Sequence, residues 1–353
     1  MEAASITAGR IAPTAASRLW ANTREFLDQY GLIILLLAMP VAYGIHDIVE
    51  DHSLTHLLRN IKEGLSNGAI YAIIALGYTL VYGIIELINF AHGDLFMIGT
   101  ATSASVLAWL IGPIGLLLAC VAALLIAMIT CASINAMIER IAYRPLRGAP
   151  KLAPLITAVG FSFLLVNVGQ LWLSGQHVSV GDPIDNSVAF FTVFDVPFTH
   201  GDAIAFGVAI PLLLALTAFI TTSRLGKAMR ATAQDPEAAR LMGINVDTTI
   251  SVTFIIGGLL AGAAGLMWAL YQNDVYFFQG FQAGLIAFTA AVMGGIGNLK
   301  GAVLGGLIIG CIQVINDDRW NATWTPAVVF IYLILIMVFR PRGLVGEETR
   351  EAG

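Results

Sequence analysis

The sequence is short of charge. Only 12% of its 353 residues are Asp, Glu, Lys or Arg, about half the share of a soluble domain, and this excludes an ordinary water-soluble globule. Cations are fewer than acids, 18 against 23, and no basic run occurs; without a basic patch there is no surface for a nucleic-acid partner. Cysteine is scarce too. Cys120, Cys131 and Cys311 sit in apolar stretches with no paired Cys-x-x-Cys spacing, which reads as small buried hydrophobes. Residues 1–30 lack the apolar run of a secretory signal, and Glu2 speaks against a transit peptide. Residues 1–28 therefore read as a cytoplasmic N-terminal tail. Met293-Gly-Gly-Ile-Gly-Asn-Leu-Lys-Gly301 is rich in glycine but lacks the Gly-Lys-Ser/Thr ending of a phosphate-binding loop, and no strand precedes it, so this chain carries no nucleotide site. His, Cys and carboxylates are nowhere clustered as metal ligands.

What is abundant is apolar sequence: 58% of residues are hydrophobic, with mean hydropathy +0.81. A buried charge is costly at bilayer depth, so charge-free intervals of about 20 residues mark the spans. Such intervals run over 29–46, 64–85, 95–138, 152–181, 203–223, 248–273, 275–299, 301–316 and 320–339. The third is long enough for two spans, with Gly112-Pro113 as the break. The expected fold is an all-α polytopic membrane bundle of eight to ten helices, ten being the preferred count. Two of them, 275–299 and 301–316, are weak enough to be broken or re-entrant.

The positive-inside rule orients these spans with the N-terminus and C-terminus both cytoplasmic. That assignment places 15 of the 18 Lys and Arg inside and leaves only Arg59, Lys62 and Arg319 outside. The largest outer connection, from His177 to Asp202, carries Asp182, Asp185, Asp195 and Asp202 and no cation.

Three features depart from apolar filler. Glu86, Asn89, Phe90, His92, Gly93 and Asp94 interrupt two apolar helices. They read either as polar groups facing a water-filled path or as a cytoplasmic turn in which Asn89 or Asp94 caps the next helix. The pairs Gly258/Gly262, Gly301/Gly305 and Gly306/Gly310 have GxxxG spacing, which suits close packing within the bundle. In the connection 223–247, Asp235 suits an N-cap, Pro236 the first helical position and Gly243 the stop. The resulting short helix, Pro236 to Met242, has an apolar face of Ala238, Leu241 and Met242 beside polar Glu237 and Arg240. So short a helix needs support, either from the bundle's underside or from a partner's groove.

Several segments in order resemble the membrane permease subunits of bacterial ABC importers for branched-chain amino acids, with relatives for urea and amides. They are Tyr71-Ala-Ile-Ile-Ala-Leu-Gly-Tyr-Thr-Leu-Val-Tyr-Gly-Ile-Ile85, Asn89-Phe-Ala-His-Gly93, Glu139-Arg-Ile-Ala-Tyr-Arg-Pro-Leu-Arg147, the loop Gly226 to Asn245, Phe288-Thr-Ala-Ala-Val-Met-Gly-Gly-Ile-Gly297 and Arg340-Pro-Arg-Gly-Leu344. The resemblance covers about 57–346, the permease transmembrane domain. It leaves 29–56 as an extra span with its connection and 347–353 as a cytoplasmic tail.

The resemblance implies an inner-membrane transport subunit that is not itself an enzyme. Its expected partners are a second homologous permease subunit, making a heterodimer, two ABC ATPase subunits that hold the ATP and Mg, and an extracytoplasmic solute-binding protein. It also implies that Glu237, Ala238, Ala239 and Gly243 form the Glu-Ala-Ala, three residues, Gly signature that docks on the ATPase, together with Asp235, Pro236, Arg240 and Leu241. The segment Glu86 to Asp94 is then expected on the solute path. Alternatives are an ion-coupled transporter using Glu86, His92 and Asp94 as a proton relay, and an intramembrane enzyme with His92 and Asp94 as acid and base.

Overall fold

An apolar run in lipid must pair its own backbone groups, and this sequence does so almost entirely with helices. The computed structural model describes residues 15–50, 53–150, 152–181, 184 and 188–346, with side chains of the first helix described from Gly31 onward except at positions 32 and 35. Arg10, Lys151, Asp182, Asp185, Arg350 and the tail 347–353 lie outside the described residues. Helix α1 spans Ala15–Glu50, α2 Thr55–Ile85, α3 Ala91–Ile114, α4 Leu116–Ile138, α5 Leu152–Trp172 and α6 His200–Thr222. Next come α7 at Arg224–Gln234, α8 at Pro236–Leu241, α9 at Val246–Tyr271, α10 at Gln279–Gly294, α11 at Leu299–Arg319 and α12 at Thr325–Phe339. Among the described residues, eight helices are long and apolar enough to cross a membrane: α2 to α6, α9, α11 and α12, with α4 and α12 counted with the turns that adjoin them.

Several boundaries differ from expectation. Residues 15–28, expected as a tail, are helical and continuous with α1, since the run Ala15 to Ala21 is built of good helix formers. The break between α3 and α4 falls at Gly115, φ 79°, and not at Gly112-Pro113, because Pro113 is carried in the last turn of α3. A π-turn, Glu139–Tyr143, extends α4 beyond its last apolar residue. The outer connection is not purely coil: β1 (Ala189–Val193) and β2 (Val196–Thr199) pair antiparallel. Phe194 and Asp195 at their turn both have positive φ, the backbone a tight hairpin demands.

The weak pair resolves into one full helix and one short one. Helix α11 has 21 residues and crosses, whereas α10 has 16, about 24 Å at 1.5 Å per residue and short of the bilayer core. Its crossing is completed by the non-helical stretch 272–278, which starts where Gln272 bonds Asn67 and includes a bridge between Val275 and Val178. The core is centred on α2 and α9, buried against protein over 83% and 72% of their apolar windows, against 22% for α5 and α6. Leu117, Leu171, Ile156 and Val338 on α4, α5 and α12 stay exposed, as a lipid-facing rim requires.

The chain also breaks after α2. Glu86 caps that helix with φ 51°, five residues pass without helix, and α3 starts with His92 against Gly77. Gly77 lies eight residues before the end of α2, so α3 begins beside α2 about 12 Å back from that end, by the helix rise. Gly93 in its first turn meets Gly280 and Gly284 at the start of α10, backbone on backbone. The two broken crossings thus meet at one depth. A Cβ at position 280 would stand 2.8 Å from both the Gly93 carbonyl and Met97 Cβ. Gly280→Val is therefore expected to destabilise the purified protein by about 1–3 kcal/mol, and Gly160→Ala, at a helical site with nothing within 4 Å, to leave it unchanged or slightly firmer. Thermal unfolding in detergent that ranked the two variants equally would contradict this packing.

Candidate functional site

The polar residues between α2 and α3 part company. Glu86 remains exposed at the end of α2, whereas Asn89, His92 and Asp94 are 2%, 0% and 1% exposed. Neither Asn89 nor Asp94 caps α3: the N-cap is Phe90, and it has no side-chain cap. The Asn89 amide instead donates to Asn135 Oδ1 on α4 at 3.3 Å, and Asn135 donates to the Phe254 carbonyl on α9 at 2.6 Å. His92 lies edge-on to Tyr78, with ring centroids 4.7 Å apart, and Phe90 leans on Phe288 of α10 at 6.4 Å. His92 approaches the Ile74 carbonyl and Asp94 approaches Ser162, but neither contact closes to a full hydrogen bond. Polar side chains left under-bonded in so buried a position are expensive. Glu86, exposed at the end of α2, does not share the buried setting of His92 and Asp94. No group of three metal-ligating side chains occurs among the described residues.

The GxxxG glycines face neighbouring helices of the same chain. Gly258 and Gly262 meet α4 at Ala132 and Ala127, Gly301 and Gly305 meet α10 at Gly294 and Ala290, and Gly306 and Gly310 meet α2 at Ala72 and Gly68.

Outside the membrane, α8 is built as its caps dictate. Asp235 Oδ1 accepts from the Glu237 and Ala238 N–H groups at 2.9 Å, Pro236 stands at the first position, and Gly243 turns out with φ 82°. The helix ends at Leu241, with Met242 as its cap. Its apolar face is not spent on the bundle. Ala239 is the residue tucked inward, at 4% exposure, while Leu241 and Met242 are 88% and 83% exposed and Ala238, Glu237 and Arg240 are exposed too. One helix, α7, escaped sequence reading: its cap is Ser223, whose hydroxyl accepts from Gly226 N at 2.8 Å.

A second group, not singled out from sequence as a site, lies beside α8. Arg147 bridges two carboxylates, Glu139 in the π-turn and Asp247 in the first turn of α9. Glu139 also accepts from Ser251 at 2.8 Å, and Arg144 reaches Asp247 at 3.3 Å. The signal was present in the Glu139 to Arg147 motif, whose acid and base are eight residues apart. Its partner Asp247 was not readable, being one hundred residues further on.

Comparison with known proteins decides which family carries this scaffold. The family described as "Branched-chain amino acid transport system / permease component" matches residues 60–338. The chain belongs to this permease family. It is 39% identical over 300 residues to the high-affinity branched-chain amino acid transport system permease protein BraD of Pseudomonas aeruginosa, covering 84% of the chain and 98% of that protein. The LivH protein of the same description from Escherichia coli K12 is 39% identical over 302 residues, covering 84% and 97%. A probable branched-chain amino acid transport permease protein LivH from Methanocaldococcus jannaschii is 26% identical over 320 residues, covering 84% and 96%. The permease is a multi-pass membrane transport protein, and α1 lies wholly outside the matched region. That helix is nonetheless tied in, with Asp47 accepting from Leu57 N at 2.9 Å and pairing with Arg319.

The Arg147 bridge is asymmetric. The Glu139 side chain is 2% exposed and that of Asp247 45%. Arg147→Gln strands a buried carboxylate and is expected to cost about 3 kcal/mol, whereas Asp247→Asn removes an exposed partner and is expected to cost less than about 1 kcal/mol. Melting curves of the two purified variants check this ordering.

Proposed function

We propose that the permease is one of a pair of permease subunits, its partner a homologous second chain, in an ATP-driven importer that moves a branched-chain or other small polar amino acid into the cell. ATP and Mg would be held by two separate ATPase subunits, and an extracytoplasmic binding protein would deliver the solute. Urea and short amides are the alternative cargo on the same scaffold. The observation that carries this reading is α8, a capped helix outside the bundle that leaves Leu241 and Met242 in water. A six-residue helix is marginal alone, and two large apolar side chains at its end suit a groove on a partner. Orientation follows the charge: the end bearing α7 and α8 also carries Arg140, Arg144, Arg147, Lys300, Arg340 and Arg342, which by the positive-inside rule is the cytoplasmic one.

Movement imposed on α8 has a route inward. Val246 opens α9 three residues after Gly243, Asp247 is held by Arg147, and Arg147 holds Glu139 at the end of α4. One turn further along α4, Asn135 bonds Asn89 in the break between α2 and α3. Closure of the ATPase pair would then tilt α4 and α9 about the broken crossings, giving alternating access by rigid-body rocking. Asn89, Phe90, His92, Gly93 and Asp94 are assigned to the solute path on this basis.

The test is a complex reconstituted with its ATPases and binding protein. Glu237→Lys or Gly243→Val is expected to leave the permease inserted and assembled while abolishing the stimulation of ATP hydrolysis by loaded binding protein and reducing uptake at least about tenfold, a coupling loss near 1.4 kcal/mol. Normal uptake in both variants would refute the docking role of α8. Uptake that survives ATP depletion and collapses with an uncoupler would refute the ATP-driven reading.

A further inference from the structure

The outer end of the molecule holds a cavity of about 580 Å³ between α2, α9 and α11. Its mouth carries Arg59, Glu63 and Asp317, and its inner wall is formed by Asn67, Gln313 and Trp268. The polar lining continues past the charged turns into the apolar runs. Asn67 is three residues into the charge-free interval 64–85 and Gln313 three residues before the end of 301–316, each about 5 Å inside by the helix rise. Amides there, in walls shared with a wide cavity, are the pattern of a water-filled entrance.

The charges at this mouth break the rule that governs the rest of the chain. Of the three cations of the outer end, Arg59 lines the cavity, while Lys62 and Arg319 adjoin its lining residues Glu63 and Asp318. Two are accounted for by architecture: Lys62 ties α2 to Asp202 of α6 at 2.9 Å, and Arg319 ties α11 to Asp47 of α1. Arg59 ties nothing together. Its one ion-pair partner is Glu63, a turn along the same helix at 2.9 Å, and its side chain is 59% exposed; an exposed pair of this kind adds little stability. Asp317 is its counterpart. It accepts from the Thr325 hydroxyl, and no cation lies within ion-pair range of it among the described residues. One guanidinium free to exchange its partner, and one carboxylate with no cation, thus face the same polar cavity.

We propose that this cavity is a capture site for a zwitterionic α-amino acid, with Arg59 receiving the carboxylate, Asp317 the ammonium, and Trp268 with the inner wall the side chain. Guanidinium recognises carboxylate through a two-pronged hydrogen bond that a neutral solute does not offer. The site deepens the importer reading above, in that it selects a zwitterion over urea, an amide or a sugar on the permease itself. Any discrimination by a binding protein would come in addition.

The full-length permease in lipid nanodiscs tests this without ATPase or binding protein. Tryptophan emission is followed during titration with leucine, with leucinamide, which lacks the carboxylate, and with 4-methylpentanoate, which lacks the ammonium. Leucine is expected to give a saturable change that Trp268→Phe removes. Arg59→Gln is expected to weaken leucine about tenfold, the loss of one charge-assisted hydrogen bond, while leaving leucinamide unaffected, and Arg59→Lys to restore part of it. Asp317→Asn is expected to weaken leucine and leave 4-methylpentanoate unaffected. Absence of a saturable leucine signal in protein with a normal melting curve would overturn the proposal. So would equal responses to the three probes, or leucine binding unchanged in both variants. Failure of the importer reading shows elsewhere, as no ATP-dependent leucine uptake by the reconstituted wild-type complex, and leaves the nanodisc result standing.

Discussion

The backbone contact of Gly93 with Gly280 and Gly284 is the constraint on which the rest of the architecture turns. A helix begun inside a bilayer exposes several N–H groups with no lipid partner, so a broken crossing persists only when it is covered by protein. Here two breaks cover each other. The start of α3 and the start of α10 meet at one depth, and glycine on both sides lets the main chains touch. Around this junction are gathered Tyr78 of α2, His92 and Asp94 of α3 and Phe288 of α10. A side chain at any of the three glycines would push the two starts apart and open the polar backbone to lipid.

Charge performs a second and separable task. At the end bearing α8 it joins elements remote in sequence, Arg147 clasping the end of α4 to the start of α9. That clasp joins the first turn of α9, just after α8, to the end of α4, which carries Asn135, the partner of Asn89. At the outer end it fastens α1 to α11 and α2 to α6, and leaves Arg59 and Asp317 over from that fastening. The two ends therefore differ in what their charges do: braces on one side, and braces plus an unspent pair on the other.

Much of this was legible in the chain. Charge-free intervals located every long helix, and the Asp235, Pro236 and Gly243 signals bounded α8 to within one residue, since both signals act over a turn or less. Local chemistry also marked 86–94 as abnormal for a membrane span. What was not legible depends on distance. Nothing near Asn89 names Asn135, nothing near Glu139 or Arg147 names Asp247, and the separation of Glu86 from Asp94 hinges on where α2 stops. The apolar face of α8 illustrates the same limit: spacing grouped Ala238, Leu241 and Met242, and packing turned Ala239 inward and left the others in water.

The sequence by itself determined that the chain is a polytopic helical membrane protein, which end of it carries the cations, and where its punctuation falls, because hydropathy, charge and capping are properties of short stretches. Only the tertiary structure decided that two crossings are broken at matched depth, that Asn89 and not Glu86 joins the buried group, and that Arg59 and Asp317 share a cavity. Those facts are relations between helices tens to hundreds of residues apart, set by how closely glycine-lined backbones approach and by which buried charges find a partner when they do.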